Sequence, residues 1–374
     1  MIDLDDRELL AKYDQSDQLG SMSKWGELVK EAREQSKKLQ IPSKVSWKNV
    51  SWDYRQPKNV IICGMGGSAI AGDYFVSLFE DKLSIPVIVN KEYTLPKFVD
   101  SESLVICISY SGNTEETLSR YHEALKRKSM IVSIASAGLL EKFATKIGTP
   151  HVKIRAGIPP RTAFPLMYTA LITIFEILGL IGSVEQQLDE VISIFEKLAI
   201  EYSQESPIKE NIAKEISYGI FNSTPLFIGY SIYSPIAYRA KTQLNENSKL
   251  IAIAETLPEQ NHNGIVIFDN PNTSLDNIAF IFIHDKKEPR QIATRFEEVK
   301  KLASERSEKV LEILPQGKSK LAKQLSTTYL VDFISIYLGI LYEIDPSATP
   351  SIDKLKETLK KKINLQVNIE EDIL

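Results

Sequence analysis

Two apolar, β-branched runs, Val60-Ile61-Ile62-Cys63 and Val105-Ile106-Cys107-Ile108, each break into a turn of small residues and then into a helical pattern. The turns read Gly64-Met65-Gly66-Gly67-Ser68 and Ser109-Tyr110-Ser111-Gly112-Asn113-Thr114-Glu115-Glu116. A strand that is apolar without alternation needs cover on both faces, which means a parallel sheet between helices. A strand that feeds a helix through a tight turn also aims backbone N–H groups at an anion. Ser68, Ser109, Ser111 and Thr114 add hydroxyl donors that carry no charge. Two such turns at the same edge of one sheet make a pocket for one phosphate.

The same alternation runs along most of the chain. Strands are predicted at 59–63, 86–90, 104–109, 130–134 and 151–154, and helices at 68–79, 114–127, 139–146 and 163–181. A charged helical stretch over 183–210 leads to a second module, where Pro225-Leu226-Phe227-Ile228-Gly229-Tyr230-Ser231 echoes the first strand and turn. Further strands are predicted at 250–253, 265–268, 279–283 and 309–313, with helices at 235–247, 289–304 and 318–343. The expected fold class is therefore α/β, duplicated. The expected boundaries are a helical lead-in over 1–45, a first domain over 46–195, a second over 196–344, and a C-terminal helical tail over 345–374.

A length of 374 residues suits two domains, and 43% hydrophobic residues supply their cores. A net charge of −4 argues against nucleic-acid binding through a basic surface. The two cysteines, Cys63 and Cys107, end strand patterns and read as small buried thiols. The acidic N-terminus lacks an apolar signal core, so a reducing cytoplasm is the expected location. Residues 163–182 hold a single charge, Glu176, and are long enough to span a bilayer; Pro165 and that acid favour a helix buried between domains or subunits instead. No membrane or nucleic-acid partner is expected.

The first turn also fits the dinucleotide pattern through Gly64, Gly66 and Ala69. The next strand ends Asn90-Lys91-Glu92, with no acid cleanly at its tip to bind a ribose, and the Ser109–Glu116 turn has no role in such a fold. A phosphate monoester is the better reading.

The Ser109–Glu116 turn resembles the loop of the sugar isomerase, or SIS, domain. Nearly the whole chain resembles the bifunctional phosphoglucose/phosphomannose isomerase family. The resemblance rests on Gly64–Ser68, Ser109–Glu116, Gly157-Ile158-Pro159-Pro160-Arg161, Gln243-Leu244-Asn245-Glu246-Asn247-Ser248-Lys249 and Asn261-His262-Asn263. It implies two SIS-type three-layer αβα sandwiches with parallel sheets, between a helical lead-in and a helical tail. It implies a hexose 6-phosphate whose phosphate is held by Gly66, Gly67, Ser68, Ser109, Ser111 and Thr114. Glu246 matches the family's base, which would move a proton between carbons 1 and 2 through an enediol. Arg161 matches the cation beside the enediolate, and His262 the ring-opening group, reaching in from the partner of a homodimer. Lys356 corresponds to a lysine at the ring-opening end, with Lys354 competing for that place. Thr349 corresponds to a threonine associated with accepting both sugars. His122, His151 and His284 read as structural.

The sequence has no Cys-x-x-Cys or His-Glu-x-x-His pattern, and the family's route uses no cofactor and no metal. Two alternatives share the fold: a non-catalytic sugar-phosphate sensor, which would not need Glu246 and His262 together, and an aminosugar-phosphate isomerase. The chain departs from compact family members in its N-terminal lead-in and in Pro159-Pro160-Arg161, where a simpler Pro-Arg is expected.

Overall fold

The structure is a computed structural model and describes residues 2–374. Three helices come first: α1 (Arg7–Tyr13), α2 (Gln18–Ser23) and α3 (Trp25–Ser36). An antiparallel hairpin follows, β1 (Lys44–Trp47) and β2 (Val50–Asp53). The helical pattern does not anticipate this hairpin. Its turn residues Lys48 and Asn49 have φ of 47° and 63°, the left-handed pair that a two-residue hairpin turn requires.

The first sheet and its helices are β3 (Asn59–Cys63), α4 (Gly66–Phe79), β4 (Val87–Asn90), β5 (Ser103–Ile108), α5 (Glu115–Lys126), β6 (Met130–Ala135), α6 (Leu139–Ile147), β7 (His151–Lys153) and α7 (Phe164–Ile177). The second set comprises α8 (Glu185–Glu201), α9 (Ile212–Ile220), β8 (Thr224–Tyr230), α10 (Ser234–Gln243), β9 (Ile253–Leu257), β10 (Ile278–Ile283), α11 (Arg290–Ser304), β11 (Val310–Ile313) and α12 (Lys320–Leu341). The chain ends in α13 (Pro350–Lys362) and α14 (Leu365–Ile373).

Two expected strands are corrected. The strand expected at 250–253 lies one stretch later, as β9, which pairs with Leu226–Tyr230 of β8. The apolar run at 265–268 is not a strand but part of a 3-10 helix, Gly264–Asp269, whose first N–H is capped by the Asn263 side chain. A short apolar run does not distinguish the two by periodicity.

The described chain forms two compact units, each built from separated segments. One comprises Glu27–Val184 and Thr349–Leu374; the other comprises residues 2–26 and Glu185–Ala348. In the first unit the all-parallel sheet has the order β4-β3-β5-β6-β7. In the second it is β9-β8-β10-β11, also parallel. Counted from the first strand of each sheet, the order is second, first, third, fourth in both, so the duplication is one of topology. The crossovers leave the first and third strands in opposite directions. Right-handed crossovers therefore place the following helices on opposite faces, and the loops above those two strands part into a crevice.

In the first unit α4 and α7 pack through Tyr74, Phe75, Phe164, Tyr168 and Phe175. A second core joins Cys63, Cys107, Tyr121, Phe143, Ile369 and Ile373. Both thiols are free and buried in neighbouring register positions, and burial pushes the Cys107 thiol up. The apolar segment at 163–182 forms a helix of only 14 residues. Among the described residues, the one helix long and apolar enough to cross a membrane is α12, and its apolar window is 100% buried inside the fold, as in the core helix of a globular unit.

Candidate functional site

In the first unit the crevice lies above β3 and β5, where Cys63 and Cys107 stand in register. Both turns expected to hold phosphate leave from this point. Gly66 takes φ +50°, a left-handed value that glycine adopts without strain, and opens α4. Ser68 is buried there, with its hydroxyl donating to the Met167 thioether at 3.2 Å.

The second turn is held by its own hydroxyls. Ser109 Oγ lies 2.8 Å from Thr114 Oγ1 and accepts the Gly112 N–H at 3.1 Å. Ser111 Oγ accepts the Asn113 N–H at 3.3 Å, and Asn113 Oδ1 accepts the Leu139 N–H at 3.0 Å. Thr114 is extended at the start of α5, whose first turn carries Glu115 and Glu116. Ser111 is exposed and Thr114 half-buried, whereas Ser109 is buried within the loop. Ser111 and Thr114 are thus the hydroxyls nearest solvent.

The Gly157–Arg161 segment joins both turns. The Ile158 N–H donates to the Tyr110 hydroxyl at 3.0 Å, and a Cβ on Gly67 would meet the Pro160 carbonyl oxygen at 3.9 Å. Thr162 and Ala163 donate backbone N–H bonds to the Pro159 carbonyl, closing a turn that carries Arg161 into α7. Three motifs far apart in sequence therefore meet at one sheet edge.

In the tail, Thr349 precedes α13 and its carbonyl accepts from Ile352 and Asp353. Lys356 and Lys354 are both exposed, on a helix that buries no residue. The structure brings neither lysine against the phosphate turns by a hydrogen bond or ion pair.

The second unit repeats the strand–turn geometry without repeating its chemistry. Ser231 has φ of 53°, two residues after Gly229, as Gly66 follows Gly64. The turn above its third strand, His284-Asp285-Lys286-Lys287-Glu288, carries charges of both signs in place of hydroxyls, with Asp285 paired to Lys323 and accepting the Lys287 N–H.

Glu246 lies in this unit, half-buried, within a π-helical turn, Leu244–Ser248, that continues α10. Single π turns are wide and are often found at functional sites. Three groups fix this one. Asn247 Nδ2 donates to Ser335 Oγ at 2.8 Å, and Ser248 Oγ donates to the Ser335 carbonyl at 2.6 Å. Lys249, with φ of 57°, donates from Nζ to the carbonyls of Glu246 at 2.8 Å and Asp345 at 2.9 Å. Beneath the turn, Arg239 and Asp332 form a buried two-pronged ion pair, at 2.9 Å and 2.6 Å. Burial pushes the Asp332 carboxyl up, with Arg239 opposing it.

His262 is exposed at the end of a 3-10 turn, Glu259–His262. Its neighbour Asn261 accepts from Arg295 at 2.9 Å. The other histidines have protein partners: His122 with Asp372, His151 with Ser133, and His284 with Glu312. Among the described residues, no group of three or more His, Cys, Asp or Glu is arranged to hold a metal ion.

Residues 53–174 match the SIS domain family, and residues 209–359 match the bacterial phospho-glucose isomerase C-terminal SIS domain. A structure of the C-terminal domain of glucosamine-fructose-6-phosphate aminotransferase from Francisella tularensis shares the fold, with a TM-score of 0.67 at 15% identity, over 88% of this chain and 97% of that one. Fold and turns together define the class: an α/β protein of two SIS modules, built as sugar-phosphate isomerases are. The bifunctional phosphoglucose/phosphomannose isomerase of Caldicellulosiruptor bescii is 39% identical over 301 residues, covering 80% of this chain and 89% of that protein. Its counterpart from Aquifex aeolicus is 33% identical over 322 residues, covering 84% and 94%. The chain belongs to the bifunctional phosphoglucose/phosphomannose isomerase family, and it is a sugar-phosphate isomerase.

Proposed function

We propose that this isomerase interconverts glucose 6-phosphate and mannose 6-phosphate with fructose 6-phosphate, by proton transfer through a cis-enediolate and without a metal. The observation that carries the reading is the meeting of the 64–68, 109–114 and 157–161 segments above β3 and β5. Backbone N–H groups at two helix starts, with Ser111 and Thr114 beside them, would take the phosphate dianion.

Ring opening comes first. A proton leaves the anomeric hydroxyl and one is delivered to the ring oxygen, a task suited to imidazole. We assign it to His262 of a partner subunit, assisted by Lys356. A homodimer fits the surface around His262. β9 is an edge strand, Ile251 just before it is 80% exposed, and Val266 just after the His262 turn is 56% exposed. Bare edges and apolar patches of this kind call for cover.

The Glu246 carboxylate then takes the proton from carbon 2 of the aldose while the carbonyl oxygen at carbon 1 becomes an enediolate. Arg161 would stabilise that charge. Returning the proton to carbon 1, as the proton of the carbon 2 hydroxyl passes to the carbon 1 oxygen, gives the ketose. Glucose and mannose differ only at carbon 2, so both pass through the same intermediate. A small hydroxyl residue at Thr349 leaves room for either.

A coupled assay with each aldose phosphate, with and without chelator, tests the reading. Turnover of both, unchanged by chelator and lost in Glu246→Gln with ligand binding retained, is expected. No turnover of either sugar, or loss of activity on chelation, would overturn it.

A further inference from the structure

Among the described residues, three basic side chains are buried: Arg120, Lys214 and Arg239. Two of them have a carboxylate. Lys214 pairs with Asp5 at 3.0 Å and Arg239 with Asp332 at 2.6 Å. Arg120, 0% exposed, has none among the described residues. Its five N–H donors meet five neutral oxygens instead. Nε donates to the Glu116 carbonyl at 3.0 Å. Nη1 donates to the Asn90 carbonyl and to Asn90 Oδ1, the latter at 2.9 Å. Nη2 donates to the Gly64 carbonyl and to Thr117 Oγ1, each at 3.4 Å. Every hydrogen bond is made, but the charge itself is uncompensated.

Burying an unpaired guanidinium is costly, and its position adds to the cost. Side chains on a helix lean toward its N-terminus, so Arg120 is carried back to the first turn of α5, where the helix dipole is already positive. The nearby acids of that turn face elsewhere; Glu115, for one, accepts the Tyr93 hydroxyl at 2.5 Å. The result is a fixed positive charge on the Gly64 carbonyl, two residues from Gly66 and beneath both phosphate turns.

We infer that Arg120 is a positioning residue for the substrate's phosphate: a buried cation whose counter-ion is the dianion bound in the turns above it. This inference rests on the phosphate placement proposed above. Arg120 touches the turn, not the ligand. It holds Gly64 and Asn90 in place, and its field favours a dianion over a neutral sugar. The exposed turn hydroxyls then need no charge of their own.

The test is calorimetric titration of inorganic phosphate into the full chain and four variants. Ser109→Ala probes the turn. Arg120→Gln removes the charge and keeps part of the hydrogen bonding, Arg120→Lys keeps the charge and loses the fork, and Asn90→Asp places a carboxylate on Arg120 without altering it. Arg120→Gln and Asn90→Asp are each expected to weaken phosphate binding about tenfold, the scale of one charge acting through a partly polar medium, and Ser109→Ala by a similar factor through the loss of the hydrogen bonds that shape the turn. Arg120→Lys should stay within about threefold of the natural chain. If Arg120→Gln does not fold, Asn90→Asp and Arg120→Lys still decide the matter. Wild-type affinity in Asn90→Asp, with Ser109→Ala weakened, would overturn the role of Arg120 and leave the phosphate site standing. Absence of measurable phosphate binding by the natural chain would remove the phosphate site and this inference with it.

Discussion

Gly112 and Ala137 meet backbone to backbone: a Cβ on Gly112 would lie 1.7 Å from the Ala137 carbonyl oxygen. Gly112 also has φ of +69°. The Ser109–Thr114 turn is therefore shaped from outside, by the neighbouring 136–138 loop, as well as by its own hydroxyls. Gly112→Ala should destabilise the protein by about 2–4 kcal/mol and remove most isomerase activity. Gly148→Ala is the control, because Gly148 has φ of +82° but nothing within 4 Å of the added carbon. It should cost about 1 kcal/mol and leave turnover intact. Thermal melts and steady-state kinetics of both variants check the contrast.

The Arg239–Asp332 pair supports the π turn of Glu246 from within the core. Arg239→Met would leave a buried carboxylate without its partner. A loss of about 3–5 kcal/mol is expected, read by urea unfolding. Arg239→Met with Asp332→Leu should recover much of it, because no charge is then stranded.

Lys249 holds the end of the same turn through the carbonyl of Glu246. Lys249→Met should lower kcat about ten- to hundredfold with KM little changed, since small misplacements of a reacting group have effects of that size. An unchanged kcat would show that the turn is rigid without it.

His151 has its pKa lowered to about 4 from 6.5, chiefly by burial. The folded protein keeps this imidazole neutral, while the unfolded chain takes up the proton below its ordinary pKa. Its contribution is therefore fully present above pH 6.5 and is lost as pH falls toward 4. Stability should drop by up to about 3 kcal/mol across that window from this group alone. His151→Gln should flatten the slope, measured by denaturant unfolding at a series of pH values.

Both parallel sheets are legible in the sequence, because continuous apolar strands such as Val60–Cys63 admit few other arrangements. The turns at 64–68 and 109–114 are legible for the same reason, since a small-residue break after a buried strand has a fixed place at the sheet's edge. The β1–β2 hairpin is not legible, because its turn, Lys48-Asn49, lacks glycine and its two strands are only four residues each. α14 lies within the expected helical tail, but its packing is not legible: Ile369 and Ile373 become core residues only through contacts with distant parts of the chain. The run Gly264–Asp269 misleads because its four apolar residues, Ile265–Phe268, suit either geometry. Arg120 looks like any helical arginine until the tertiary fold shows that no carboxylate reaches it. The roles of Glu246 and His262 come from family resemblance, since a glutamate in a helical run and a lone histidine carry no signal by themselves.

In the proposed reaction one carboxylate carries a proton between neighbouring carbons of a phosphorylated hexose. Incubating fructose 6-phosphate with the protein in deuterium oxide, and following the recovered sugars by mass spectrometry and NMR, measures that transfer directly. Deuterium is expected at carbon 2 of both glucose 6-phosphate and mannose 6-phosphate with the natural chain, and a fall of at least about a thousandfold in incorporation with Glu246→Gln. Incorporation that survives unchanged in Glu246→Gln would contradict the proposed reaction.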